Sequence, residues 1–256
     1  MPYATVDGTR IYYEAEGNGP ALVLVHGSGG NHAIWWQQVP YFVQRYRTIT
    51  VDLHGFGGSD AAEGGGADAR NFPRDVLGVL DELKIEKAAL FGQSIGALAC
   101  IRLAVTHPKR VAGIVLGHSA GNMDHDELRA ATARDRAAAE ELSVLDRLMS
   151  KTFQQRSPEL TWLFQKVGTF NKANQQSIRN LGDKGPTPDD VKRSGVRVAF
   201  LAGENDRVIS LATLRKAHAL LPGSTLLEVP AGPHSMYWES PAVFNCILDQ
   251  FLRTLF

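Results

Sequence analysis

Cysteine is scarce in this chain: Cys100 and Cys246 are the two among 256 residues. Two distant cysteines make no disulfide framework, so both are expected as buried free thiols. That usage suits a reducing cytoplasm. Neither sign of charge is in excess, because Lys+Arg and Asp+Glu both number 27 and the formal net charge is +0. The balance excludes a strongly basic nucleic-acid binder and gives no attraction to anionic membranes. Charged patches such as 129–136 and 192–197 read as solvated faces. Long hydrophobic runs are missing as well. The longest, such as "ALVLV" at 21–25, have strand length and cannot span a bilayer. The opening "MPYATVDGTRIYYEAEG" has no basic start and no apolar core, so no signal peptide is expected.

What the chain does have is room for one large domain, or a domain with an insertion. "YATVDG" and "RIYYEAEG" alternate around a turn at Asp7-Gly8 and predict an antiparallel hairpin. "ALVLVHGSGG" is an apolar run ended by glycines, as expected of a strand buried on both faces. A helix is predicted over 34–46, then the strand "TITVDL" and a sharp turn "HGFGGSD". The Gly-rich loop "AAEGGGADAR" leads into a helix whose apolar face carries Phe72, Val76, Val79, Leu80 and Leu83. Next come the strand "AALFG", a helix with Ile95, Leu98, Ala99 and Leu103 on one side, and the strand "VAGIVLG".

The alternation stops after Gly121. Residues 122–190 offer no convincing strand. "DELRAATARDRAAAEELSVLDRLMS" is strongly helix-prone, and "PELTWLFQKV" and "NKANQQSIRNL" read as further short helices. The sheet pattern resumes with "VRVAFLAG", a helix over 211–221 and the strand "STLLEVP". A last helix is predicted from Ser240-Pro241, with Ser240 as its N-cap and Phe244, Ile247, Leu248 and Phe251 on its face. The expected fold is therefore α/β: a mostly parallel sheet flanked by helices, formed by 1–121 and 191–256, with a helical insertion at 122–190.

Three side chains fall where chemistry is expected. "AALFGQSIGALAC" places Ser94 between a strand and a helix, with glycine two residues before and after. A serine hydroxyl needs a base within hydrogen-bond reach, and the base needs an orienting carboxylate. "VRVAFLAGENDRVI" sets Asp206 just past one strand, and "TLLEVPAGPHSMYWESP" sets His234 just past the next. Parallel sheets open their crevice at these carboxyl ends. "LVLVHGSGG" supplies a glycine turn whose N–H groups can face the same crevice. The N–H groups of Ser28 and Ile95 are expected to hold an oxyanion.

With these elements in this order, the chain resembles the α/β-hydrolase family. The resemblance covers nearly the whole chain and rests on "HGSGG", "VDLHGFGGSD", "GQSIG", "GENDRVI" and "AGPHSMYWESP". It implies that Ser94 is the nucleophile, Asp206 the acid, His234 the base, and Ser28 and Ile95 the oxyanion donors. It makes the insertion a helical cap. His54 stands where an arginine is common, and Pro233 directly before His234 is less usual. Serine at the nucleophile position sets the chain apart from the aspartate branches of the family.

Competing readings stay open at several positions. Asp124, past "GIVLG", is the alternative acid. His32, His107, His125 and His218 belong to no motif and read as surface residues. His26 is expected to brace the glycine turn. His118 is either packing at the sheet end or a wall of the pocket. Trp162, Phe164 and Phe170 either line an apolar pocket or form the core of the insertion. Of Trp35 and Trp36, one is expected inside and Trp36 is the candidate for the pocket. Gly55-Phe56-Gly57-Gly58 is a turn, since it lacks nucleotide-binding spacing. No metal-ligand spacing is visible and no cofactor is expected.

The expected activity is hydrolysis of a small, largely apolar ester or lactone, by a monomer or homodimer. The Ala-rich helical stretch reads as exposed. The rivals are a carbon–carbon bond hydrolase, a cofactor-free lyase, perhydrolase or oxygenase, and a ligand receptor that retains the triad.

Overall fold

A computed structural model describes residues 2–62 and 65–256. Part of the Gly-rich loop, Glu63 and Gly64, lies outside the described residues. The strands are β1 (Tyr3–Val6), β2 (Thr9–Glu16), β3 (Ala21–Val25), β4 (Arg47–Val51), β5 (Ala67–Asp68), β6 (Ala88–Gln93), β7 (Val111–Gly117), β8 (Ile178–Arg179), β9 (Arg197–Gly203) and β10 (Thr225–Val229). Eight of them form one sheet in the order β1-β2-β4-β3-β6-β7-β9-β10. β1, β2 and β4 pair antiparallel, and every pair from β4 to β10 is parallel. The first hairpin turns at Asp7 and Gly8, with φ of +48° and +82°, as a tight two-residue turn requires.

The helices are α1 (Val39–Phe42), α2 (Phe72–Glu82), α3 (Gly96–Thr106), α4 (Asp126–Glu140), α5 (Val144–Leu148), α6 (Lys151–Arg156), α7 (Pro158–Val167), α8 (Pro188–Ser194), α9 (Leu211–Ala219), α10 (Met236–Glu239) and α11 (Pro241–Leu252). Their apolar faces make two cores, one on each side of the sheet. Along β3, Val23 and Val25 point to one core while Leu22 and Leu24 point to the other. β6 repeats this with Leu90 and Phe91. That two-residue period, apolar on both sides, is why the central strands read as unbroken apolar runs. Among the described residues, no helix is long and apolar enough to cross a membrane.

Several expectations change. The helix predicted over 34–46 is a 3-10 turn (His32–Trp35) followed by α1. Pro40 has no N–H to continue a helix from the turn before it, so a new one starts. "NKANQQSIRNL" is a 3-10 turn capped by the Asn174 side chain, followed by β8. β8 pairs in parallel with β5, which lies inside the Gly-rich stretch read as loop. Ser240 precedes α11 but its hydroxyl caps nothing, because its backbone is not extended as an N-cap needs. Cys100 is buried as expected, but Cys246 lies on the exposed side of α11. α4 buries Leu128, Ala131 and Ala139 and leaves most of its other residues exposed.

Candidate active site

β6 ends at Gln93 and α3 begins at Gly96, so Ser94 stands at the bend between them. Its φ is +53°, in the left-handed region that strains a residue with a side chain. Crowding keeps it there. A Cβ on Gly92 would lie 2.5 Å from the Gly96 backbone, and one on Gly96 would lie 2.5 Å from the Val25 carbonyl. The Ser94 N–H donates to the Gly117 carbonyl at 2.9 Å. Ile95 occupies the N-cap position of α3, where helix N–H groups lack partners of their own.

The glycine turn after β3 lies against this bend. A Cβ on Gly27 would be 3.4 Å from Ser94 Cβ. His26 braces the turn from below. Leu53 N–H donates to His26 Nε2 at 3.1 Å, so the ring proton sits on Nδ1, which donates to the Gly27 carbonyl at 2.8 Å. Burial pushes this imidazole below its ordinary pKa, which keeps it neutral. Ser28 is half-buried at the turn.

Asn31 and Asn171 lock the turn to the helical segment. Asn31 Nδ2 donates to the Val167 carbonyl at 3.0 Å, and Asn171 Nδ2 donates to the Gly30 carbonyl at 3.1 Å. Asn171 Oδ1 accepts from Gly57 N–H at 3.0 Å. His32, expected at the surface, is half-buried and donates from Nδ1 to Asp52 Oδ2 at 2.8 Å.

Asp206 and His234 meet across the ends of β9 and β10. Glu204 N–H donates to Val229 O, and Asn205 N–H donates to Gly232 O, each at 3.0 Å. These bonds hold the two loops side by side. His234 Nδ1 lies 2.9 Å and 3.1 Å from the two Asp206 oxygens, which leaves Nε2 as the ring nitrogen not engaged by the carboxylate. Asp206 Oδ1 also accepts from Val208 and Ile209 N–H at 2.7 and 3.1 Å.

Burial alone would raise the Asp206 carboxyl. The charge of His234 and hydrogen bonds from His118 and His234 outweigh it and hold the group well below the usual carboxylate range. Asp124 instead pairs with Arg129 and Lys184, so the carboxylate on His234 is Asp206.

Two further contacts escape any local sequence signal. Gln93 Nε2 donates to the His234 carbonyl at 2.8 Å, tying the loop of the histidine to the residue before Ser94. His118 Nδ1 donates to Asp206 Oδ2 at 2.9 Å. His118, Asp206 and His234 are also the group of described residues whose donor atoms, all within 4.8 Å, are close enough to surround a metal ion. Their Nδ1 protons are committed to the carboxylate, so we read them as a hydrogen-bonded set.

The helical segment reaches the histidine loop too. Ser235 N–H donates to the Leu148 carbonyl at 2.9 Å, and Ser150 Oγ donates to Glu239 at 2.6 Å. The aromatic candidates scatter. Phe164 packs on Trp238 with ring centroids 5.3 Å apart, in the core. Trp162 and Phe170 are 59% and 74% exposed, and Lys166 lies over the Trp162 ring.

Trp35 is fully buried, while exposed Trp36 lines a cavity of about 400 Å³ with Glu14, His32 and Val39. A second cavity, about 520 Å³, is lined by Asp7, His54, Arg74 and Asp75. Neither cavity includes Ser94, Asp206 or His234. His54 itself is buried, with Nδ1 2.7 Å from Asp75 and Nε2 accepting from Asp68 N–H.

A sequence model of the alpha/beta hydrolase fold matches residues 20–241. The 3-oxoadipate enol-lactonase 1 of Acinetobacter baylyi is 30% identical over 255 residues, covering 93% of this chain and 90% of that protein. The solved enol-lactonase from Burkholderia xenovorans LB400 superposes with a TM-score of 0.82 at 25% identity, covering 98% of this chain and 100% of that one. A thermophilic esterase from Thermogutta terrifontis superposes at 0.84 with 20% identity, covering 99% and 98%, a likeness of fold alone. The match over 20–241 spans most of the sheet and both of its cores, and on that ground the chain belongs to the alpha/beta hydrolase fold family.

Proposed function

We propose that the protein hydrolyses small, largely apolar esters or lactones through an acyl-enzyme on Ser94. The observation that carries this reading is the Asp206–His234 pair held beside the Ser94 bend by the Gln93–His234 hydrogen bond. His234 Nε2 takes the Ser94 proton as Oγ attacks the carbonyl carbon. The N–H groups of Ser28 and Ile95 hold the oxyanion, a contribution of about 100- to 1000-fold per donor. Asp206 stabilises the imidazolium. The tetrahedral intermediate collapses, the C–O bond to the leaving group breaks, and His234 returns the proton to the departing oxygen. Water, deprotonated by His234, then releases the acid and restores Ser94.

With a lactone, the departing oxygen stays attached to the acyl group, and deacylation yields one ring-opened acid. This arm is supported by the likeness to the two enol-lactonases. Residues 122–190 act as a cap, consistent with their hydrogen bonds to the glycine turn on one side and the histidine loop on the other.

A fluorophosphonate should label Ser94 in the unmodified protein and leave Ser94→Ala unlabelled. Ser94→Ala should lose ester and lactone turnover by at least about 10⁴-fold. Turnover that survives in Ser94→Ala would overturn the acyl-enzyme.

A further inference from the structure

His118 follows β7 directly and stands at the carboxyl edge of the sheet, between β6, which leads to Ser94, and β9, which leads to Asp206. It is 1% exposed and its φ is +54°, the left-handed region again. Its N–H donates to the Leu201 carbonyl at 2.8 Å, which fixes the backbone there. Its ring lies 5.5 Å from the His234 ring, centroid to centroid. Both Nδ1 atoms lie 2.9 Å from the same oxygen, Asp206 Oδ2.

His118 Nε2 is buried with no partner among the described residues. A strained backbone and an unpaired buried nitrogen both cost free energy. The bond to Asp206 is what an imidazole supplies here and an apolar side chain would not.

We propose that His118 is a positioning residue: its Nδ1–H shares Asp206 Oδ2 with the His234 Nδ1–H, orienting the acid and moderating its hold on the base. This rests on the Ser94 chemistry proposed above. His118 acts as a neutral donor. Protonation would place a second N–H on Nε2, where no acceptor waits among the described residues, and burial pushes this imidazole below its ordinary pKa.

Asp206 Oδ1 accepts from two backbone N–H groups and lies 3.1 Å from His234 Nδ1, so the shorter contact of His234, 2.9 Å to Oδ2, is the one that His118 shares. A second donor on Oδ2 makes the carboxylate a weaker acceptor. The imidazolium that forms on His234 during the reaction then has a weaker partner in Asp206. The other charged groups around the acid point elsewhere. Glu204 accepts from Ala231 N–H, Asp135 of α4 accepts from Ser210, and Arg207 is exposed.

The test follows the rate of fluorophosphonate labelling of Ser94, and kcat/KM, across pH for the wild type, His118→Ala and His118→Asn. Asparagine carries an N–H close to the Nδ1 position and tolerates left-handed φ. His118→Ala should lose about tenfold at neutral pH. Its acid limb should move to higher pH, so the loss grows as pH falls. His118→Asn should recover most of the loss and keep the wild-type limb.

Should His118→Ala fail to fold, His118→Gly removes the donor while relieving the backbone, and the same limb shift is expected. An unmoved limb in the variants without a donor overturns the proposal, as does His118→Asn falling as far as His118→Ala. Labelling and turnover retained in Ser94→Ala overturn this proposal together with the acyl-enzyme; a labelled wild type with an unmoved limb overturns this one alone.

Discussion

At Ser94 the geometry comes from backbone crowding, whereas at Asp206 and His234 it comes from side-chain hydrogen bonds. The bend is enforced by atoms that cannot yield: Gly92 against Gly96, and Gly96 against the Val25 carbonyl. The acid–base side is an assembly of donors on one carboxylate, from two backbone N–H groups and two imidazoles. Crowding gives an all-or-none element, since an added methyl either fits or does not. Hydrogen bonding gives a graded one, because each donor can be removed while the others remain.

The largest effect that would test this contrast is Gly96→Ala. Its methyl would meet backbone at 2.5 Å. The variant is expected to lose about 3 kcal/mol of stability in urea unfolding, and its activity with it. A stable, active Gly96→Ala would break the comparison. Next is Asp206→Asn, which should stay folded yet lose about 10⁴-fold in kcat, measured with a short-chain ester. Asp124→Asn, which only disrupts pairs with Arg129 and Lys184, should stay within about twofold. The reverse ranking would reassign the acid. An intermediate effect is expected of Gln93→Leu. It deletes the donor to the His234 carbonyl and should cost about tenfold in kcat/KM, with circular dichroism unchanged.

The same contrast explains what the sequence made legible. Ser94 was readable because crowding demands glycines at fixed offsets, and offsets are a local pattern. Asp206 and His234 were readable because each follows shortly after its own strand. The partners of Gln93 and His118 lie 141 and 88 residues away, and no local period encodes them. The β5–β8 pair has only two residues per strand, too short for alternation to show. In the helical segment, an apolar stripe looks alike whether it faces a pocket, a core or water. Phe164 proved to be core, while Trp162 and Phe170 stand in solvent. Cys246 is exposed because of the helix face it occupies, which residue type alone does not reveal.

The fastening of the helical segment has a consequence for redesign. Leu148 lends its carbonyl to the residue after His234, and Asn171 lends its amide to the turn that carries Ser28. The segment is therefore not an interchangeable part. A transplanted one would arrive without those two groups and would loosen the histidine loop and the glycine turn together, so neither can be re-anchored independently of the other.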